Sequence, residues 1–404
     1  MNFIHFDVDK CTLCRLCIEK CPFEAMSMGK EGIEVNESCR MCNVCVKVCP
    51  EQAIYFEQKA GQADKSQWNG ILVFAQQQQG EIHPVTFELI GEARRLSQKN
   101  SYPVNVVLVG GKKTVECAEI FKYYGVAKVF VYEHEELANF RADNYTNAIA
   151  DCISRMQPSV VLIGATELGR SLAPRLSTRF HTGLTADCTR LEMKENSDLV
   201  QIRPAFGGNV MAQILTTDSR PQFATVRYKV MDAPDVADEP SGDIIISEIT
   251  AEIIASGISI KKVSEIKKSH NIEDEEILVV AGRGVKDEKG MKLIEALADA
   301  LGGQVCFTRP MVEEGFGDPA HQIGLSGRTV RPKLIITCGV SGSIQFTSSM
   351  NQADHIVAID SNPDAQIFNL AHYCINDDLY EVIPPLIAGL KEQKEEKVNA
   401  FSLS

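Results

Sequence analysis

The sequence predicts an α/β protein: a small cysteine-rich α+β head, then two doubly wound parallel-sheet domains. Three observations carry this. Eight of the 14 cysteines fall within residues 11–49, in two runs of identical spacing. Beyond residue 68, short apolar runs alternate with helical stretches, the pattern of buried strands and crossover helices. Near residue 265 the alternation starts afresh. The length of 404 residues suits two or three domains.

The head comes first. Cys11, Cys14, Cys17 and Cys21 recur as Cys39, Cys42, Cys45 and Cys49, each 28 positions later, with Pro22 and Pro50 after each set. A cubane iron–sulfur cluster needs four thiolates at tetrahedral directions. A tight CxxCxxC loop supplies three, and the fourth comes from the other repeat. The spacing therefore predicts one cluster on Cys11, Cys14, Cys17 and Cys49 and a second on Cys39, Cys42, Cys45 and Cys21. Zinc modules pair two CxxC units and have no use for a third cysteine per loop. Cys117, Cys152, Cys188, Cys306, Cys338 and Cys374 are scattered, some in apolar contexts such as "LIITCGV", and read as core or incidental residues. The head takes residues 1–57, and the polar stretch 58–68 reads as a linker.

In the first large domain (69–262) the order is strand "GILVFA" (70–75), helix near 84–99, strand "VNVVLVG" (104–110), helix near 114–123, strand "KVFVYE" (128–133), helix near 143–156 and strand "SVVLIGA" (159–165). "VGGKK" (109–113) reads as an ordinary strand–helix turn. "QFATVRYKV" (222–230) and "GDIIISEIT" (242–250) extend the same domain, and "DAPDVADEPSG" (232–242) is a polar loop. The second domain (263–388) opens with strand, glycine loop and helix at 277–303. Strands ending in "VCFTRP" (305–310), "KLIITCGVSGSIQF" (333–346) and "HIVAID" (355–360) follow. Parallel sheets bind ligands at the loops on their carboxyl ends. Those loops, "AGRG", "TRP", "GVSGS" and "DSNP", are rich in Gly, Ser, Thr and Arg, which suits a pyrophosphate, while Asp360 suits ribose hydroxyls. A nucleotide-type cofactor is expected there. Residues 389–404 read as a solvated helix with a frayed tail.

The formal charge of −13 and the lack of a basic cluster argue against nucleic acid. No apolar run reaches the roughly 18 residues of a membrane span, and the first residues have no signal-peptide core. A cytoplasmic location is expected, where regularly spaced cysteines favour metal ligation over disulfides. No nucleophile–base constellation stands out, so no catalytic residue is assigned.

Two family resemblances follow. Residues 1–57 resemble a bacterial two-[4Fe–4S] ferredoxin. Residues 69–385 resemble the α subunit of electron-transfer flavoprotein, on "RSLAPRLSTRFHTGLTADCT" (170–189), "RPAFGGNVMAQI" (203–214), "RPQFATVR" (220–227), "AGRGVK" (281–286), "QIGLSGRTVRPKL" (322–334), "GVSGSIQF" (339–346) and "AIDSNPDAQIF" (358–368). The resemblance implies one FAD in the second domain and a β subunit against the first. It implies Arg283 by the FAD phosphates. Thr308 replaces a family Ser, and Arg309 lies beside the isoalloxazine, favouring the reduced anionic flavin. Ile323, Gly324, Leu325 and Ser326 wrap the flavin, Ser326 replacing a family Thr. Ser341, Gly342, Ser343, Ile344 and Gln345 take the pyrophosphate and ribityl, and Asp360, Asp378 and Leu379 bound the adenosine.

Two positions depart from the family. Leu325 stands for a usual Gln, and Phe346 for a usual His near the flavin C2 carbonyl. Phe346 cannot donate to that oxygen, so one-electron reduction of the flavin is expected to be less favoured than usual. Fusion to two low-potential clusters implies electron bifurcation: electrons from NADH at a β-subunit flavin, one to a dehydrogenase, the other to soluble ferredoxin. An acyl-CoA dehydrogenase-like enoyl-CoA reductase is the favoured third protein. The alternatives are an FAD-dependent lactate dehydrogenase in the confurcating direction, or a carrier without bifurcation. Residues 232–242 and 255–268 are hinge candidates by composition.

Overall fold

A computed structural model describes residues 4–29, 32–36, 39, 42–56, 63–205, 210–264 and 271–401. Residues 58–62 of the expected linker, 206–209 of "RPAFGGNVMAQI", 265–268 of the second hinge stretch and the tail end 402–404 lie outside the described residues. The chain divides into two compact units, one within residues 1–64 with 217–219, the other 65–216 with 220–404.

The small unit repeats itself in structure as it does in sequence. Its elements are β1 (Ile4–Phe6), α1 (Leu16–Glu19), β2 (Met26–Met28), β3 (Ile33–Val35), α2 (Val44–Val48) and β4 (Ile54–Phe56). The strands pair across the repeats: β1 runs antiparallel to β4, and β2 antiparallel to β3. Both short helices start from a left-handed residue, Arg15 (φ 66°) and Asn43 (φ 66°), 28 positions apart; Glu24 and Gln52 share φ 50° at the same interval. Cys17, Met26, Cys45 and Ile54 form its buried centre, two from each repeat.

The large unit holds two parallel sheets. The first uses β5 (Ile71–Ala75), β8 (Val104–Gly110), β9 (Lys128–Glu133), β10 (Val160–Gly164), β11 (Leu184–Cys188), β15 (Gln222–Val226) and β16 (Asp243–Ile246), in the order β11-β15-β10-β5-β8-β9-β16. Every neighbouring pair is parallel. The strands β5, β8, β10 and β15 are buried at every position, as continuous apolar runs covered on both faces should be. The helices α3 (Val85–Ser97), α4 (Thr114–Ala118), α5 (Ala142–Met156), α6 (Glu167–Arg179) and α7 (Ala251–Ile254) connect or flank them. The expected helix at 114–123 is an α-turn that tightens into a 3-10 helix over Glu119–Tyr124. A hairpin, β6 (Gln77–Gln78) with β7 (Glu81–Ile82), follows β5. The region after residue 190 also holds an antiparallel three-stranded sheet of β12 (Arg190–Met193), β13 (Leu199–Ala205) and β14 (Val210–Ile214).

The second sheet uses β17 (Ile277–Ala281), β18 (Gln304–Phe307), β19 (Leu334–Cys338), β20 (His355–Ile359) and β21 (Tyr373–Ile375), ordered β18-β17-β19-β20-β21 and wholly parallel. The helices here are α8 (Glu288–Leu301), α9 (Arg309–Glu313), α10 (Ile344–Thr347) and α11 (Leu379–Phe401). Two apolar clusters cover the two faces of this sheet, one around Leu278, Ile335 and Ile356, the other around Val279, Ile336 and Ile359. Successive residues point to opposite faces, which is why neighbours in one strand divide between the clusters.

Candidate redox centres

In the small unit, two cavities are each lined by four cysteines. Cys11, Cys14, Cys17 and Cys49 line one, with Leu13 and Ile54. Cys21, Cys39, Cys42 and Cys45 line the other, with Pro22 and Met26. Each set takes three thiols from one repeat and the fourth from the other. Among the described residues no three Cys, His or carboxylate side chains converge as ligands of a single ion. The fourth thiols are held alike: Ala25 N–H donates to Cys21 Sγ at 3.3 Å, and Ala53 N–H to Cys49 Sγ at 3.4 Å. Amide donors suit sulfur that carries charge. Burial pushes the Cys17 and Cys45 thiols up, so as free thiols they stay protonated, and a bound cluster would supply the positive charge that a thiolate needs there. The donor chemistry fits two cubane clusters.

Of the six remaining cysteines, Cys152, Cys188, Cys306 and Cys338 are buried; Cys117 is half-buried and Cys374 exposed.

The expected flavin residues converge on one edge of the five-stranded sheet. Arg283 follows β17, Thr308 and Arg309 follow β18, Ser341–Gln345 follow β19, Asp360 follows β20, and Asp378 follows β21. All strands being parallel, these are all carboxyl ends. The turns are built for close approach. A Cβ on Gly282 would stand 2.3 Å from the Gly339 carbonyl oxygen, and one on Gly284 2.6 Å from Gly339 Cα. Gly342 has φ +83°, and its Cβ would lie 2.2 Å from Ile367 N. A side chain at any of these would push the loops apart. The exposed Ser341 and Ser343 lead into α10, whose first amides have no acceptor inside the helix. This bare backbone cradle suits a pyrophosphate.

The residues expected to wrap the flavin are tied in by main chain. Ile323 N–H donates to the Phe307 carbonyl (3.0 Å), and Leu325 N–H to the Gln345 carbonyl (2.8 Å), joining the loops after β18 and β19. Gly324 takes φ +143°. Gln322 Nε2 donates to Ser326 Oγ at 2.9 Å. Thr308 is buried, its hydroxyl 3.5 Å from the Ala281 carbonyl. Arg309 is exposed and pairs with Glu313 at 2.7 Å. Asp360 accepts from Asn362 N–H (2.9 Å), and Asp378 from Tyr380 N–H (3.0 Å) at the start of α11. Three side chains serve packing: Ile323 and Phe346 (4% exposed) lie in the same apolar cluster as Met350 and Ile367, and Leu379 in the opposite one.

One residue of this neighbourhood escaped sequence reasoning. Arg227 sits at the end of "RPQFATVR", just past β15, and its Nη2 donates to the Leu325 carbonyl at 3.0 Å. The signal was present: an arginine closing a fully buried apolar strand needs an acceptor.

These features define a redox protein whose cofactors are FAD and two [4Fe–4S] clusters. Family models agree along the chain: a 4Fe-4S dicluster domain over residues 10–54, an electron transfer flavoprotein domain over 71–252, and an electron transfer flavoprotein FAD-binding domain over 271–351. A relative named lactate dehydrogenase (NAD(+),ferredoxin) subunit LctC, from Acetobacterium woodii, is 47% identical over 398 residues, covering 98% of this chain and 95% of that one. The electron transfer flavoprotein subunit alpha of Thermoanaerobacterium thermosaccharolyticum is 42% identical, covering 81% and 99%. The acryloyl-CoA reductase electron transfer subunit beta of Anaerotignum propionicum is 35% identical, covering 82% and 98%. The chain belongs to the electron-transfer flavoprotein α family, with a 4Fe-4S dicluster domain ahead of it. Among the described residues no helix is long and apolar enough to cross a membrane.

Proposed function

We propose that this chain is the electron-relaying subunit of a cytoplasmic lactate dehydrogenase complex, working beside a flavoprotein β subunit and exchanging electrons with soluble ferredoxin through its head. The observation that favours lactate is the 98% coverage by the Acetobacterium relative, which takes in the dicluster domain as well as both sheets. An enoyl-CoA reductase partner, favoured by sequence alone, is the second reading, and the Anaerotignum relative supports it over a smaller share of the chain.

Bound FAD accepts electrons singly or in pairs, and the clusters accept them singly. The residues present the cofactors to that traffic. The cysteine sets Cys11, Cys14, Cys17, Cys49 and Cys39, Cys42, Cys45, Cys21 hold the two clusters. Gly342 and Ser341–Gln345 cradle the FAD pyrophosphate, Arg283 neutralises phosphate charge, and Asp360 and Asp378 bound the adenosine. Arg309 sets a positive field at the flavin ring. The domain boundaries we assign are 1–57, 69–262 and 263–388.

Anaerobic affinity purification from the native cell, with mass spectrometry and turnover, tests this. The lactate reading requires a β subunit and an FAD-dependent dehydrogenase to co-purify, and lactate-driven NAD reduction to need reduced ferredoxin. Recovery of an acyl-CoA dehydrogenase-like protein, with NADH-driven ferredoxin reduction dependent on an enoyl-CoA, establishes the second reading. A β subunit without any dehydrogenase rejects both in favour of a mobile carrier.

A further inference from the structure

The segment after β15 reaches from the seven-stranded sheet to the flavin loop. Arg227 Nη2 donates to the Leu325 carbonyl at 3.0 Å. Tyr228 Oη donates to Asp274 Oδ1 at 3.2 Å, and Asp232 Oδ1 meets Arg331 Nη1 at 2.5 Å. The segment is itself fixed from behind. Lys229 takes a left-handed conformation (φ 64°), and its N–H donates to both carboxyl oxygens of the buried Glu88, at 2.9 and 3.2 Å. A lysine in that region needs such an anchor.

Of these ties, only Arg227 contacts the loop holding Ile323–Ser326. Its side chain is 11% exposed and stands 3.7 Å from Asp187 Oδ2, which also pairs with Arg170. Arg227 Nε is buried without an acceptor. The guanidinium is therefore held by one carboxylate and one main-chain carbonyl. A charged donor on a carbonyl is a stronger tie than a neutral one. Leu325 N–H is already committed to the Gln345 carbonyl. Both polar backbone groups of Leu325 are thus used, one inside the FAD-binding sheet's loops and one by Arg227.

We propose that Arg227 is a positioning residue for the flavin: its bond to the Leu325 carbonyl fixes the Ile323–Ser326 loop in the docked arrangement of the two sheets. This rests on the reading that this loop wraps the flavin. Releasing the bond lets the loop open and leaves the apolar cores of both parallel sheets intact.

The test uses the complete cofactor-loaded complex and compares Arg227→Met and Arg227→Lys with wild type. Hydrogen–deuterium exchange is followed over residues 322–328, and the visible flavin spectrum and potential are recorded beside it. In R227M, exchange over 322–328 rises about tenfold or more. Strands β8 and β19 keep wild-type protection, and the flavin spectrum shifts. R227K, which retains one cationic donor, falls between. Unchanged exchange over 322–328, or a rise shared equally by β8 and β19, overturns the proposal. Leu325→Gln separates it from the reading beneath. If L325Q shifts the flavin spectrum while neither Arg227 variant does, the loop lies on the flavin and Arg227 does not position it. If L325Q also leaves the flavin unchanged, the loop reading fails, and the proposal with it.

Discussion

Phe346 and Glu88 show how much one side chain can carry. Phe346 is committed to the core of the FAD-binding sheet, in a cluster with Ile323 and Met350. If position 346 lies by the flavin C2 carbonyl, as the family resemblance implies, Phe346→His places a donor there where the phenyl ring has none. One hydrogen bond of this kind is worth about 1.5–3 kcal/mol, or about 65–130 mV for a one-electron couple. Spectroelectrochemical titration should show the first reduction potential rising by that order, with a lower Tm from the imidazole's burial. An unchanged potential would refute the idea that Phe346 weakens one-electron reduction of the flavin. Burial holds the Glu88 carboxyl up at about 7, against an ordinary value of 4.5. The folded chain therefore binds the extra proton between those values. The stabilisation this gives is complete below about 4.5 and is lost as pH rises through about 7. Glu88→Gln cannot ionise, so thermal melts from pH 5 to pH 8 should show the variant gaining on wild type, by at most about 3 kcal/mol. Glu88 was invisible in the sequence because it lies on an ordinary amphipathic helix, and only the fold brings Lys229 to it.

The elements legible in the sequence are those with strong local signals. "ILVFA", "VNVVLVG", "VVLIG" and "ILVVA" are unbroken apolar runs, and each is a buried strand. What was not legible depends on long-range pairing. The strand β15 inserts between β10 and β11, and the antiparallel sheet of β12, β13 and β14 stands apart; nothing local to those segments announces either. The same holds for the buried ion pair behind them. Arg220 is fully buried and donates to Asp198 Oδ1 at 2.7 Å, while Lys65 Nζ reaches the same oxygen at 2.7 Å. Burial pushes the Asp198 carboxyl up, but bonds from Lys65 and Arg220 outweigh it and hold it below the usual range. Arg220→Met leaves the buried carboxylate with Lys65 as its remaining cation, and chemical denaturation should register a loss of at most about 3–5 kcal/mol. A cap offers a gentler test. Asp287 accepts from Gly290 N–H at 2.8 Å at the start of α8 and from Tyr380 Oη at 3.1 Å, joining α8 to α11. Asp287→Ala should lower stability by the same measurement, and by less than the Arg220 change does.

At the scale of the whole molecule, the cofactor inventory was readable because cysteine spacing and glycine loops encode chemistry directly. The residues expected at the flavin site divide between surface and core. Ser341 and Arg283 stand exposed at strand ends, whereas Phe346 and Leu379 face the cores. Sequence position assigns a residue to a loop, but only packing decides which way it turns. The crossed cysteine sets give the sharpest test of the head. Cys49→Ala should cost the cluster of Cys11, Cys14 and Cys17, and leave the one on its own repeat. Iron analysis should fall by about half, and spectroscopy combined with Cys21→Ala should identify which centre each variant loses. Loss of the cluster on Cys39, Cys42 and Cys45 from C49A would reverse the assignment.

The pairing of β1 with β4 and β2 with β3 has a further consequence. Each repeat contributes one strand to each ribbon and one sulfur to its neighbour's cage, so neither half is a protein by itself. A peptide ending after the first repeat would own three thiols of one cage, one of the other, and two strands without partners. A second copy of itself, threaded head against tail, could complete it as the other repeat does. The 28-residue period is thus the mark of a dimer written into a single chain.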